Sequence, residues 1–234
     1  MPSLYLVAAP IGDTLSDLSI DGLRLMRTVP TIVLEADDGY ARRLREKGVL
    51  NAKQEVLTME DAGPTIARAL DVLDGGGDVV LTASSGIPCF VDPGSRLVDE
   101  VLKSRLDTVS LVPVGASSAL DAALMLSGQS LDAFTFGGHY PEHFLPLQQS
   151  SSLLRLPTVY YVRGPAIVEF VQAIQGLPAG PPWRMVLLKD IRKKGMQRVE
   201  VVHGNAPFTA ETEQRHDWVV VVQPAQERPG LQQR

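Results

Sequence analysis

The chain has 234 residues and a single cysteine, Cys89, so it closes no internal disulfide and a reducing, cytoplasmic setting is expected. It has no apolar run of membrane-spanning length. The first apolar segment, Leu4 to Pro10, has no Lys or Arg before it and is too short for a secretion signal with its cleavage site. A net charge of −5 leaves no global positive field to recruit nucleic acid, although a local basic patch suffices for that. No Gly-x-Gly-x-x-Gly follows the first strand and no Walker-type phosphate loop occurs. His139 and His143 have the i,i+4 spacing of a helical metal pair. Pro141 and Pro146 disfavour a helix there, so no metal is expected. Cys89 has no neighbouring His in sequence and reads as a small buried hydrophobe rather than a nucleophile.

What is present is the composition of a soluble globular protein, 44% apolar and 21% charged. Leu4 to Ala8, Thr31 to Glu35, Glu55 to Thr58, Val79 to Thr82 and Val109 to Val114 read as buried strands. Helical spacing lies between them. One helix carries Leu18 to Val29, entered through Ser16 and Asp17; another covers Tyr40 to Lys47. A third runs through Ala62 to Leu73 into the glycines 75–77, and a fourth carries Leu97 to Leu102. This β-α-β-α alternation predicts a parallel sheet flanked by helices. After Gly115 a small-residue helix covers Ala119 to Ser127. Strands follow at Ala133 to Gly137 and Thr158 to Val162, then a helix at Ile167 to Ile174. Arg184 to Leu188, Arg198 to His203 and Trp218 to Gln223 are three further strands with little helix between them, which predicts antiparallel pairing in a mixed sheet. The expected fold class is α/β with two α/β domains: an N-terminal parallel-sheet domain over 1–114, a C-terminal mixed domain over 115–226, and a polar tail over 227–234.

Four small-residue segments are placed at strand ends: Ala9-Pro10-Ile11-Gly12, Thr82 to Gly86, Gly115 to Ser118, and Phe136-Gly137-Gly138-His139. Small residues at the carboxyl ends of parallel strands let backbone approach a ligand, and open α/β sheets bind ligands there. These segments offer N–H, C=O and hydroxyl groups without Lys or Arg, which suits a polar but not strongly anionic ligand. Acid–base candidates are Glu35, Asp37, Asp38, His139 and Asp190. Arg184, Lys189, Arg192, Lys193, Lys194 and Arg198 form the one dense basic run, either a meeting point for RNA phosphates or a solvated turn.

The order of these segments resembles the tetrapyrrole methylase superfamily, the class III S-adenosylmethionine-dependent methyltransferases. Within it they look most like the branch containing the ribosomal RNA small-subunit cytidine 2′-O-methyltransferase. LYLVAAPIGD (Leu4 to Asp13) is similar to that branch's LYLVxTPIGN, with Ala9 for Thr and Asp13 for Asn. DVVLTASSGIPCFVDPGSRLV (Asp78 to Val98) is similar to its strand-SDAG-xP-xxxDPG segment. VPVGASSALDAALMLSG (Val112 to Gly128) resembles its PGPSA-helix-SG, and FTFGGHYP (Phe134 to Pro141) its FxFxGFLP. The branch's EDTR keeps only Glu35 here, and its SDAG has become Ser84-Ser85-Gly86 without the acid.

The resemblance implies S-adenosyl-L-methionine as cofactor, bound in a cleft between the two domains of a homodimer. It implies cofactor contacts at Pro10, Ser84, Ser85, Gly86, Ser117, Ser118, Tyr161, Met185 and Leu187. Glu35 and His139 are the catalytic candidates, because a hydroxyl acceptor wants a base. The implied activity is methylation of ribosomal RNA in the small subunit, with no membrane partner. A small-molecule acceptor such as a tetrapyrrole, or a non-catalytic cofactor-binding paralogue, stands as the alternative.

Overall fold

A computed structural model describes residues 1–10, 15, 18–36, 39–90, 93–116, 118–129, 132–141, 156–177, 183–191, 197–209 and 217–224. The chain divides into two compact units, Met1–Asp132 and Ala133–Arg234.

In the first unit, β1 (Ser3–Val7), β2 (Thr31–Leu34), β3 (Glu55–Thr58), β4 (Val79–Thr82) and β5 (Ser110–Val114) form an all-parallel sheet in the order β3-β2-β4-β1-β5. β2 and β4 are buried at every position, as parallel strands between two helical layers must be. The helices are α1 (Ile20–Thr28), α2 (Tyr40–Glu46), α3 (Ala62–Asp74), α4 (Ser95–Ser104) and α5 (Ala119–Leu126). The chain steps from β1 to β2 to β3 in one direction along the sheet and from β3 to β4 to β5 in the other. Right-handed crossovers therefore put α1 and α2 on one face and α3 and α4 on the other. Leu25 and Met26 of α1, Tyr40 and Leu44 of α2, and Ile32, Leu34, Val80 and Val114 of the strands share one buried cluster.

Local chemistry sets the helix ends. Ser19 caps α1, its Oγ accepting the Gly22 N–H at 3.0 Å. The expected entry at Ser16 and Asp17 lies outside the described residues. Gly76, at φ +86°, ends α3 in a conformation that favours glycine.

In the second unit, β6 (Thr135–Tyr140), β7 (Thr158–Arg163), β8 (Trp183–Lys189), β9 (Arg198–His203) and β10 (Asp217–Pro224) are ordered β6-β7-β10-β8-β9. β6 and β7 are parallel and the other pairings antiparallel, so the sheet is mixed. Helix α6 (Ile167–Gln175) packs Phe170, Val171 and Ile174 on one face, against Tyr160, Val162, Met185, Leu187, Trp218 and Val220.

Two features differ from the sequence pattern. The first unit runs on to Asp132, past the boundary expected after Val114, because α5 packs against β5 and α4. The strand expected to end at Gly137 continues to Tyr140, so Phe136 to His139 is strand rather than loop. The register shifts between Phe136 and Gly138, and a Cβ at Gly137 would overlap the Tyr160 ring. Paired glycines that look like a strand-end loop here make a bulge against a packed aromatic. Among the described residues no helix is long and apolar enough to cross a membrane.

Candidate functional site

β4 lies between β2 and β1, and its outgoing helix goes to the opposite face from theirs. The loops leaving β1 and β4 therefore part at the carboxyl edge of the sheet, the place where open α/β sheets receive ligands. These loops are tied together. The Ala9 N–H donates to the Gly86 carbonyl at 2.8 Å, an isolated bridge beyond the strands. The Ala8 N–H donates to the Val114 carbonyl at 2.9 Å, and a Cβ at Gly115 would lie 3.2 Å from the Ala8 Cβ. Three of the four small-residue segments, after β1, β4 and β5, are thus side by side.

Within this edge Pro10 is buried, Ser84 and Gly86 are half-buried, and Ser85 is exposed. Gly86 sits at φ +73° with nothing within 4 Å of a built Cβ, so backbone conformation rather than crowding calls for glycine there. Ser118 is exposed and caps α5. Its Oγ accepts the Asp121 N–H at 3.1 Å while its own N–H donates to Asp121 Oδ2 at 3.0 Å. Ser117 lies outside the described residues.

Glu35 follows β2 and its N–H donates to the Thr82 carbonyl at 3.1 Å. Its side chain is 4% exposed, and Oε1 accepts the Cys89 N–H at 2.8 Å. Cys89 is fully buried at φ +71°, a conformation uncommon outside glycine. A Cβ at Gly94, the residue that enters α4, would overlap Glu35 Oε1. The carboxylate therefore buttresses the loop between β4 and α4, rather than heading α2, the helix that follows it in sequence. Of the other acids, Asp190 is 2% exposed at φ +48° and donates its N–H to the Asp217 carbonyl at 3.2 Å. Asp37 and Asp38 lie outside the described residues.

The remaining candidates belong to the second unit. His139 is exposed on β6, its ring 5.3 Å from that of half-buried Tyr161 and inclined at 71°. Phe136 packs on the same Tyr161 ring at 5.2 Å and 70°. Met185 and Leu187 are fully buried and face α6, so their side chains belong to that core and only their backbone is left for a ligand. β8 is buried at all seven positions, and such a strand gives no sequence signal for which face a residue takes.

The basic run is also redistributed. Arg184 and Lys189 are each 7% exposed, and Lys189 Nζ lies 5.7 Å from the Trp218 ring centroid. They are strand residues, not part of a solvated turn; Arg192, Lys193 and Lys194 lie outside the described residues. Tyr140, which sequence patterns did not single out, donates its hydroxyl to Glu169 Oε1 at 2.9 Å. Burial first, and the Glu169 carboxylate second, push its phenol up to about 12.

A family model for Tetrapyrrole (Corrin/Porphyrin) Methylases matches residues 3–153. The chain is similar to the Ribosomal RNA small subunit methyltransferase I of Mesorhizobium japonicum, at 33% identity over 172 residues, which is 74% of this chain and 54% of that relative. It is similar to the protein of the same name from Pseudomonas aeruginosa, at 32% identity over 228 residues, 93% of this chain and 73% of the relative. Among solved structures it is similar to a uroporphyrin-III C-methyl transferase from Thermus thermophilus complexed with S-adenyl homocysteine. That match has 16% identity, covers 93% of this chain and 96% of the other, and has a TM-score of 0.37. The family model spans most of the first unit and enters the second, taking in all three tied loops. The chain belongs to the tetrapyrrole methylase family.

Proposed function

We propose that the chain is an S-adenosylmethionine-dependent methyltransferase whose acceptor is ribosomal RNA of the small subunit, at the 2′-hydroxyl of a cytidine. The observation that carries the reading is the Ala9–Gly86 link, which joins two glycine- and serine-bearing strand-end loops at the sheet edge. The names of the relatives support RNA as the acceptor class. A cytoplasmic homodimer is part of the proposal and rests on the family likeness and the single free cysteine.

The loop residues fit this cofactor. Among the described residues, Ala8 to Pro10, Ala83 to Gly86, and Gly115, Ala116 and Ser118 include no Lys or Arg. They present backbone groups, small side chains and the hydroxyls of Ser84 and Ser85, which suits a nucleoside joined to an amino acid better than a polyphosphate. When bound, the cofactor would be held by the Gly86 backbone and the hydroxyls of Ser84 and Ser85, and would supply an electrophilic sulfonium methyl group for transfer to the acceptor. The chain's part is to hold both reactants. The Gly86 backbone, fixed through Ala9, keeps one wall rigid, and Glu35 keeps the following segment in place. His139 is the base candidate of this reading, because Glu35 and Asp190 are buried and His139 alone of the described acid–base candidates is exposed.

Calorimetry with S-adenosylmethionine tests the first half: no measurable heat of binding refutes it. Transfer of labelled methyl to small ribosomal subunits from a strain lacking the gene tests the second. Label appearing in a cytidine 2′-O-methyl group is the expected result. Transfer to a tetrapyrrole and not to RNA assigns the small-molecule acceptor instead.

A further inference from the structure

The two units carry opposite charge. Residues 1–132 hold 11 Lys and Arg against 19 Asp and Glu, a net −8, whereas residues 133–234 hold 11 against 8, a net +3. All four histidines fall in the second segment. Among the described residues of the second unit, Arg163, Arg184, Lys189 and Arg198 are matched in number by Glu169, Asp190, Glu200 and Asp217, so the positive excess is carried by residues outside them.

On the sheet of that unit, the face opposite α6 has an aromatic strip along β6 and β7. The bulge at Gly137 makes it. Side chains alternate faces along a strand, so Phe136 and His139, three apart, would point oppositely without an extra residue between them. With the bulge, Phe136 pairs with Val159 and His139 with Tyr161, which puts both on the Tyr161 face, while Tyr140 joins the α6 core. Both rings then pack on Tyr161, at 5.2 and 5.3 Å. Phe136 is 48% exposed. Arg163, two residues beyond Tyr161 on the same face, is exposed at the end of β7.

We infer that Phe136, Tyr161 and His139, with Arg163 at the end of the same strand face, form a stacking platform for an unstacked base of a single-stranded RNA acceptor. The inference rests on the reading of the chain as an RNA methyltransferase and deepens it. A base within a duplex shows proteins no ring face, whereas an unstacked base lies on aromatic side chains and its phosphate meets a guanidinium. Phe136 supplies apolar ring area that lies half in solvent.

Fluorescence anisotropy with a short labelled single-stranded oligocytidylate tests this, beside the same-length backbone lacking bases. Phe136→Ala is expected to weaken oligocytidylate binding roughly 5- to 150-fold, the range for losing one base–aromatic stack. Phe136→Trp is expected to retain it. The base-free backbone should bind wild type and Phe136→Ala equally. A wild type that binds cofactor but no oligocytidylate refutes the RNA reading and this inference with it. If wild type and Phe136→Ala bind oligocytidylate alike, the RNA reading stands and the platform alone is overturned. A Phe136→Ala chain that sediments as a different oligomer marks the strip as a contact between copies of this chain, and that also overturns the platform.

Discussion

Glu35 separates two roles that a carboxylate at a strand end can have, base or buttress, and the structure gives the sizes needed to tell them apart. Glu35→Ala removes the acceptor of the Cys89 N–H at 2.8 Å in a setting where the side chain is 4% exposed. A hydrogen bond to a charged partner contributes about 1.5–3 kcal/mol. The space left behind adds about 1 kcal/mol, because Gly94, held in contact with the carboxylate, enters a ten-residue helix that does not collapse freely. A loss of about 2.5–4 kcal/mol is expected on urea unfolding. Glu35→Gln keeps an acceptor oxygen of the same shape and is expected to cost about 1 kcal/mol, the difference between a charged and a neutral acceptor. Cofactor affinity should fall in Glu35→Ala, since Cys89 lies three residues beyond Gly86 on one loop, and kcat should survive in Glu35→Gln. The reverse pattern, with Glu35→Gln silent in binding but without turnover, makes Glu35 the base. An unchanged unfolding midpoint in Glu35→Ala refutes the buttress.

Ser85→Trp places a large ring at the exposed tip of the β4 loop and is expected to abolish S-adenosylmethionine binding by calorimetry while leaving the unfolding midpoint within about 0.5 kcal/mol; unchanged affinity would make the loop a mere connection. Gly137→Ala drives a Cβ into the ring of Tyr160, itself 1% exposed and unable to step aside, so it should destabilise by about 1–3 kcal/mol in chemical denaturation. Wild-type stability in that variant would show that the bulge relaxes freely. Tyr140 titrates at about 12 in the folded chain against an ordinary 10.0, so the unfolded chain loses its proton first. Its contribution is fully present below pH 10.0 and is lost as pH rises to about 12. Tyr140→Phe should make that decline shallower without removing it, because burial also raises Tyr160; an identical slope would show that the Tyr140 phenol is not raised in the folded chain.

Much of the first unit could be read from local patterns. Four-residue runs such as Val79 to Thr82, bounded by glycines and followed by helical spacing, are what a strand buried on both faces requires, so the alternation predicted a parallel sheet. The small-residue loops stood out for the same kind of reason, since serine and glycine at strand ends have no packing to do. Patterns failed where one residue type serves two structures. The glycines at 137 and 138 read as a loop at a strand end, and the neighbouring ring of Tyr160 makes them a bulge. Met185 and Leu187 carry no mark of the face they take in a strand buried throughout.

By itself, then, the sequence determined the elements, the class of sheet in each half and the loops worth examining, because period and turn chemistry are local properties of the chain. Only the tertiary structure decided that β4 lies between β2 and β1, that Gly86 meets Ala9, and that Glu35 holds an amide 54 residues away. Those depend on crossover handedness and on which surfaces meet when the core closes, and no window of neighbouring residues contains that information.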